Sequence, residues 1–412
     1  MRISEFSRYA LGVCAAAMLA GCGGGSGALG LSPARLAVPQ TSVHPAYGVI
    51  YSFKGYPYDG ANPYVGLISV KGRLYGATDL GGAYSTGTAF SITPSGKETL
   101  LHSFEGGKDG ANPTADPVAV ESTLYGTTTS GGRYSNGTAF TISSSGKEKP
   151  FHSFGGGSDG ANPTAGLIDV KGALYGTTQD GGANHKGTVF VISSSDKEAV
   201  LHSFGGLGDG ALPTSGLIDV KGTLYGTTQN GGKNCKANGG CGSIFKMRPS
   251  GGYELLYSFV GGSDGAFPYA GLVEVDNTLY GTTINGGGSK CGDNQGCGTV
   301  FKMSISSGKE AVLYSFKGDN DGEYPYAGLL NVNGTLYGTT KFGGGSYMGT
   351  VFKISLASGK EDVLHSFAGS GDGANPLGGL TERNGGLYGT TEYGGAYLCY
   401  AEGCGTVFSL SP

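Results

Sequence analysis

The chain has 412 residues, of which 83 are Gly and 16 are Pro, and only 14% are charged. So much Gly and Pro invites a fibrous or disordered reading. Gly has no three-residue period, which excludes collagen, and 25 Tyr, 18 Phe and 38% hydrophobic residues supply the apolar surface that disordered chains lack. A formal net charge of -4 without any Lys/Arg cluster lacks the electrostatic footprint of a nucleic-acid binder, so nucleic acid is not expected as a partner.

In chain order, the first predicted feature is an export signal over residues 1–21. Arg2 and Arg8 precede an apolar run from Tyr9 to Leu19 that is too short to span a bilayer. The segment ends Leu19-Ala20-Gly21-Cys22, which resembles the lipobox of bacterial lipoproteins. That resemblance implies that Cys22 carries lipid and becomes the first residue of the mature chain. Gly23, in place of an Asp, further implies the outer membrane of the cell envelope. Residues 22–46 have the Gly/Pro-rich composition of a tether, so the membrane would be reached through the lipid anchor while residues 47–412 form one domain.

From residue 48 the chain repeats itself. Ser-Phe pairs end at Phe53, Phe104, Phe154, Phe204, Phe259, Phe316 and Phe367, with spacings of 51, 50, 50, 55, 57 and 51. Each copy approximates (H/Y)SF-xGG-x-DGAxP-xxGLIxVKGxLYGTT-xxGG-x4-GTVFxIxxSGKExxL. Four runs per copy, as in Gly166–Val170, Ala173–Thr178, Thr188–Ser193 and Glu198–Phe204, predict β-strands bounded by turn residues, and none shows helical periodicity. Four strands in about 50 residues is the size of one β-propeller blade. The chain enters at a fourth strand, Tyr47–Phe53, and leaves after a third, Thr406–Leu410. Pairing that N-terminal strand with the C-terminal three completes a seventh blade and removes the open edges. The predicted fold is therefore all-β, a seven-bladed β-propeller closed in this way.

The recurrent LYGTTxxGG followed by GTVF, with SFxGxxDGAxP between copies, resembles the GloVer tandem repeats of bacterial choice-of-anchor proteins over essentially all of residues 48–412. The resemblance implies a surface protein with a variable anchor, and it carries over no activity residue by residue. The di-glycine is also similar to kelch blades, but the kelch Trp is missing from a chain without Trp.

The recurring residues admit a structural and a chemical reading. Asp59, Asp109, Asp159, Asp209, Asp264, Asp321 and Asp372 each precede Gly, and turn chemistry explains them better than a carboxylate ring for Ca²⁺. Asp319-Asn320-Asp321-Gly322 is the one place to look for a bound ion, with Asp319 and Asp321 as its ligands; otherwise no cofactor is expected. His102, His152, His202 and His365 share a position with Tyr51, Tyr257 and Tyr314, which favours inter-blade packing over metal binding. With Cys14 cleaved off and Cys22 lipidated, the six remaining Cys form three local pairs, Cys235/Cys241, Cys291/Cys297 and Cys399/Cys404, in the three longest loops before the third strand. Disulfides there would restrain loop entropy, whereas zinc would want four ligands at one site. The G-x-S-x-G matches at Ser158 and Ser263 lie in no strand-to-helix turn and are discounted.

Blade topology puts the DGAxP connections and the GG…GT loops on one face. That face is predicted to be the interaction surface, its sevenfold symmetry broken by the three cysteine-stapled loops. Phe267, Tyr324, Tyr397 and Tyr400 are its candidates for contact with an envelope protein or a glycan. The sequence reading is a surface-anchored noncatalytic binding or scaffolding propeller, with an exported hydrolase or lyase acting on glycans or envelope polymers as the alternative. Acidic, His or Arg residues from nonequivalent repeat positions in the central opening would favour the enzyme; a lining of Gly, Ser and Thr would favour binding.

Overall fold

The computed structural model describes residues 46–412 apart from 144, 234, 236–238, 289–290, 292–294 and 400–401. Cys22, the export signal, Tyr400 and all of the tether before Ala46 lie outside the described residues. Each repeat folds as an antiparallel meander. In the third copy the strands are Ile168–Val170, Ala173–Thr178, Thr188–Ile192 and Glu198–Ser203, paired in that order. β-Branched and aromatic residues fill them, and Lys171 and Gly172, at φ 56° and 82°, make the tight turn between the first two. Among the described residues the helical elements are two 3₁₀ turns, Gly262–Asp264 and Ser370–Asp372, and no helix is long and apolar enough to cross a membrane.

Seven such sheets form a ring. The first strands of neighbouring blades approach one another around the axis, and Thr381–Arg383 of blade seven lies beside Ile68–Val70 of blade one. Ala46–Ser52 pairs with Thr406–Ser411, from Ala46 opposite Ser411 to Ser52 opposite Thr406, and so supplies the outer strand of blade seven. The ring is closed as the sequence predicts.

Packing between blades uses the repeat's aromatic residues. The Phe that ends each outer strand meets the third-strand Phe of the next blade edge to face, from Phe53–Phe90 at 5.0 Å to Phe367–Phe408 at 5.3 Å between centroids. These rings are almost completely buried. The Gly of LYGTT makes room for them: a Cβ on Gly176 would stand 2.6 Å from Cζ of Phe190, and the same clash recurs in the other blades. A β-bulge interrupts the third and outer strands of every blade, for example between Ala89 and Phe90, where Phe90 pairs with Leu100 and Ala89 with His102. Because side chains alternate along a strand, one extra residue switches faces. The first half of each outer strand therefore presents a Glu, or in blades four and seven a Tyr, to the preceding blade, while the second half presents its His or Tyr, and then its Phe, to the following one.

Candidate functional site

The loop face is built by one device repeated seven times. The DGAxP connection bridges to the loop after the second strand of its own blade, as in Ala161 with Asp180 and Ala266 with Asn285. Beneath it, the last Thr of LYGTT and the Thr or Ser that opens the third strand share a buried hydrogen bond, 2.7 Å for Thr78 and Thr88, with the Gly of Asp-Gly packed on the pair. The Asp carboxylate accepts from the backbone N–H just past each Ser-Phe pair, at 2.9 Å from Lys54 and 2.7 Å from Lys317. Its Gly takes a left-handed φ in six copies, Gly60 being the exception. These are the turn roles predicted from sequence.

The loops surround a central channel with a cavity volume of about 740 Å³. Its walls are the residues after the Pro of DGAxP, where each first strand begins. The first position is Tyr64, Thr114, Thr164, Thr214, Tyr269, Tyr326 and Leu377 in blades one to seven. Tyr269 and Tyr326 meet edge to face at 5.2 Å, and the Tyr64 and Tyr269 hydroxyls are hydrogen-bonded to one another. Two positions on, every blade has Gly except blade two, which has Asp116. The Asp116 side chain is accessible from the lumen but ringed by the channel walls; Oδ1 accepts from the Gly66 N–H at 2.6 Å, and burial pushes its carboxyl up against that hydrogen bond.

Around the mouth, the residue after LYGTT, or after LYGAT in blade one, runs Asp79, Thr129, Gln179, Gln229, Ile284, Lys341 and Glu392. Burial raises the Asp79 carboxyl, and Glu392, also raised by burial, stands 3.7 Å from the Lys341 ammonium. Lys341 in turn lies over the ring of Tyr326, 5.4 Å from its centroid. Among the described residues that line the channel, the carboxylates are Asp116 and Asp180, and no His, Cys or Arg is present. Asp79, Lys341 and Glu392 come from one equivalent repeat position, whereas Asp116 and Asp180 come from two different ones.

The aromatic residues singled out in the sequence sit differently. Phe267 and Tyr324 occupy the x of DGAxP with φ of 59° and 55°, the place that Asn62, Asn112, Asn162, Leu212 and Asn375 fill elsewhere, and both are half buried at blade interfaces. Tyr397 is exposed, with the Lys54 ammonium 5.9 Å above its ring. Asp321 accepts from the Tyr314 hydroxyl at 2.6 Å, and Asp319 has a left-handed φ of 51°.

The cysteine pairs are disulfides, Cys235–Cys241, Cys291–Cys297 and Cys399–Cys404, with Cα separations of 5.5, 5.0 and 4.8 Å. These are the pairs expected from the sequence, and the structure adds where their inner halves sit. Cys241, Cys297 and Cys404 are buried, 4%, 0% and 0% exposed, and so contribute core rather than binding surface. The reason is their position two residues before the third strand, beneath the DGAxP connection of the next blade. There the carbonyl oxygens of Cys241, Cys297 and Cys404 accept from the N–H groups of Phe267, Tyr324 and Asn62 at 2.8 to 2.9 Å. Their side chains pack beside Phe259, Phe316 and Phe53 in the inter-blade clusters. Each disulfide thus ties its long loop down onto a blade interface.

The repeat's His and Tyr form a second set of polar sites, at the blade interfaces. His102, His202 and His365 contact the Asp of their own Asp-Gly at 3.0 to 3.2 Å, and Tyr51, Tyr257 and Tyr314 donate to theirs at 2.6 to 2.8 Å. The following blade adds Glu98, Glu148, Glu198, Glu310 or Glu361, or else a Tyr. Tyr47 stacks on His365 at 3.6 Å and Tyr253 on His202 at 3.9 Å. Sequence reading missed these Glu residues and the channel tyrosines; the signal available was the replacement of Gly-Leu by Asp-Pro at residues 116–117.

The chain matches the model of the Gloeobacter/Verrucomicrobia repeat over residues 39–239 and 235–412. No curated protein matches it. Among solved structures, the extracellular domain of a one-component system from B. thetaiotaomicron superimposes with a TM-score of 0.54 at 13% identity, over 87% of this chain and 40% of that one. Puromycin hydrolase gives 0.51 at 10% identity, over 80% of this chain and 50% of that one. The chain thus spans half or less of these structures, and at such identities the likeness is one of fold.

Proposed function

This chain belongs to the Gloeobacter/Verrucomicrobia repeat family, and from that premise we propose that it is an exported, lipid-anchored, noncatalytic binding module of the bacterial envelope whose ligand is a glycan seated at the channel mouth. The makeup of that mouth carries the reading. Three tyrosines supply flat apolar faces with polar tips, while Thr114, Thr164, Thr214 and the Asp116 and Asp180 carboxyls supply the hydrogen-bonding groups that a sugar's hydroxyls require. An apolar face with convergent polar groups is the pattern of a ligand site, and since the described lining holds neither His nor Cys, Asp116 and Asp180 are the groups on which the alternative, an exported hydrolase or lyase, would rely.

A glycan array probed with the full chain should show a restricted set of envelope polysaccharides, and Y64A/Y269A/Y326A should weaken binding about tenfold or more, since each aromatic contact contributes about 0.5–1.5 kcal/mol. Undiminished binding by that variant would remove the channel from the proposal. Cleavage of a bound polymer that disappears in D116N/D180N would instead establish an exported hydrolase or lyase. The anchor is tested separately: Cys22→Ser should stop incorporation of labelled fatty acid and release the protein from the membrane fraction, and continued labelling would refute it.

A further inference from the structure

Two adjacent blade interfaces carry a side-chain set that the other five lack. His102, Asp109 and Glu148 meet between blades one and two, and His152, Asp159 and Glu198 between blades two and three; in each set the ligand-capable atoms lie within 4.8 Å of one another. Elsewhere either the His is replaced by a Tyr whose hydroxyl donates to the Asp, at Tyr51, Tyr257 and Tyr314, or the Glu is replaced by a Tyr stacked on the imidazole, at Tyr47 and Tyr253. A phenol closes the cluster with a proton, and a stacked ring covers it. Where His, Asp and Glu coincide, an imidazole nitrogen and two carboxylates converge instead.

Buried atoms in these sets lack partners. Glu148 Oε1 and Glu198 Oε1 are buried and make no hydrogen bond among the described residues, as is also true of Glu98, Glu310 and Glu361 Oε1 at the Tyr-bearing interfaces; the unpartnered atom particular to these two sets is His152 Nε2, buried and 3.4 Å from Asp159 Oδ1. Orphaned buried polar atoms are uncommon and call for a ligand or a charge to satisfy them. We propose that the two clusters are twin sites for a divalent transition ion of the Zn²⁺ type, each formed by one imidazole nitrogen and two carboxylate oxygens contributed by two neighbouring blades.

The donor set decides the class of ion. Nitrogen with two carboxylates suits Zn²⁺ and its neighbours, whereas Ca²⁺ wants about six to eight oxygens. Ligand atoms at about 2.0–2.2 Å from a tetrahedral ion stand about 3.3–3.6 Å apart, a contraction within reach of side-chain adjustment. Three protein ligands leave a coordination position for water. Any proton held on Nε2 or between the carboxyls passes to solvent as the ion binds, so uptake weakens as pH falls.

The test uses the full chain, stripped with EDTA, desalted and titrated with ZnCl₂ alone. Two ions per chain by elemental analysis and calorimetry, with a raised Tm, are expected. H102Y and H152Y should each remove one ion, and the double variant both, while folding is retained because three other copies carry Tyr at this position. E148Q and E198Q give a second pair of variants with the same expected losses. Failure of the wild-type chain to take up stoichiometric Zn²⁺, or uptake that both variant pairs leave at two ions, would overturn the proposal.

Discussion

A single hydrogen atom at residue 176 leaves room for the Phe190 ring on the next strand of the same blade, and that ring packs edge to face on Phe154 of the preceding blade. With the Phe190 ring 2.6 Å from where a Cβ would stand, Gly176→Ala forces the ring or the strand to move, and it should destabilise the domain by about 1–3 kcal/mol in denaturant or thermal unfolding; an unchanged midpoint would show the interface to be looser than described. The interface carboxyls give a second residue-scale expectation. Burial first, and the neighbouring Asp carboxylate second, push Glu98 and Glu310 up to about 7 and Glu361 up to about 8 from a usual 4.5. A carboxyl whose folded pKa is raised keeps a proton that the unfolded chain has released, so stability is greatest below the unfolded pKa and falls as pH rises through the folded one. In EDTA, folding stability should therefore decline between about pH 5 and pH 9, by on the order of 1 kcal/mol per Glu after allowance for partial solvent screening, and Tm should fall with it. E98Q/E310Q/E361Q should flatten that decline, and a Tm rising across this range would contradict it. At this scale the sequence was legible where the backbone itself demands a residue: the Asp of Asp-Gly, its neighbouring Gly and the interface Phe recur because every copy meets the same requirement. The pairing of Cys241, Cys297 and Cys404 was legible from spacing, but their burial was not, because the connection that covers them belongs to the next blade. Tyr64, Asp116 and Tyr269 were not legible either, because they sit at positions where the repeat tolerates Thr, Leu or Gly and so look like loop variation.

Among the elements, the bulged outer strand does the most to join one blade to the next. Leu201 is the extra residue in blade three, where Val189 pairs with His202 and Phe190 with Val200. Because of that extra residue Glu198 and His202, four apart in sequence, face opposite neighbours; deleting Leu201 leaves them three apart in an unbulged strand, with the same cross-strand partners and on the same opposite faces. Deletion of Leu201 should therefore be tolerated and lower Tm about as much as L201A, since each removes the same partly buried apolar side chain; loss of folding on deletion would show that the bulge itself is required. Strand existence and order were readable from alternation and turn residues, as Ala173–Thr178 matches its predicted bounds. The bulge was not, since an inserted residue in an apolar run such as Ala199-Val200-Leu201 leaves no mark in composition, and only the pairing register reveals it.

The whole molecule combines seven similar interfaces with one unequal opening. Closure by Ala46–Ser52 was legible because the array begins and ends with complementary fractions of a blade. The channel's asymmetry arises only when residues about fifty apart in sequence are brought around one axis, so no single repeat displays it. Closure also fixes where the domain's ends emerge. Outer strands run toward the loop face and third strands away from it, so the paired partners Ala46 and Ser411 share the face opposite the channel mouth. A chain joined at Ala46 or Ser411 therefore leaves the domain on the side away from the channel mouth, so attachment at either end does not obstruct the opening.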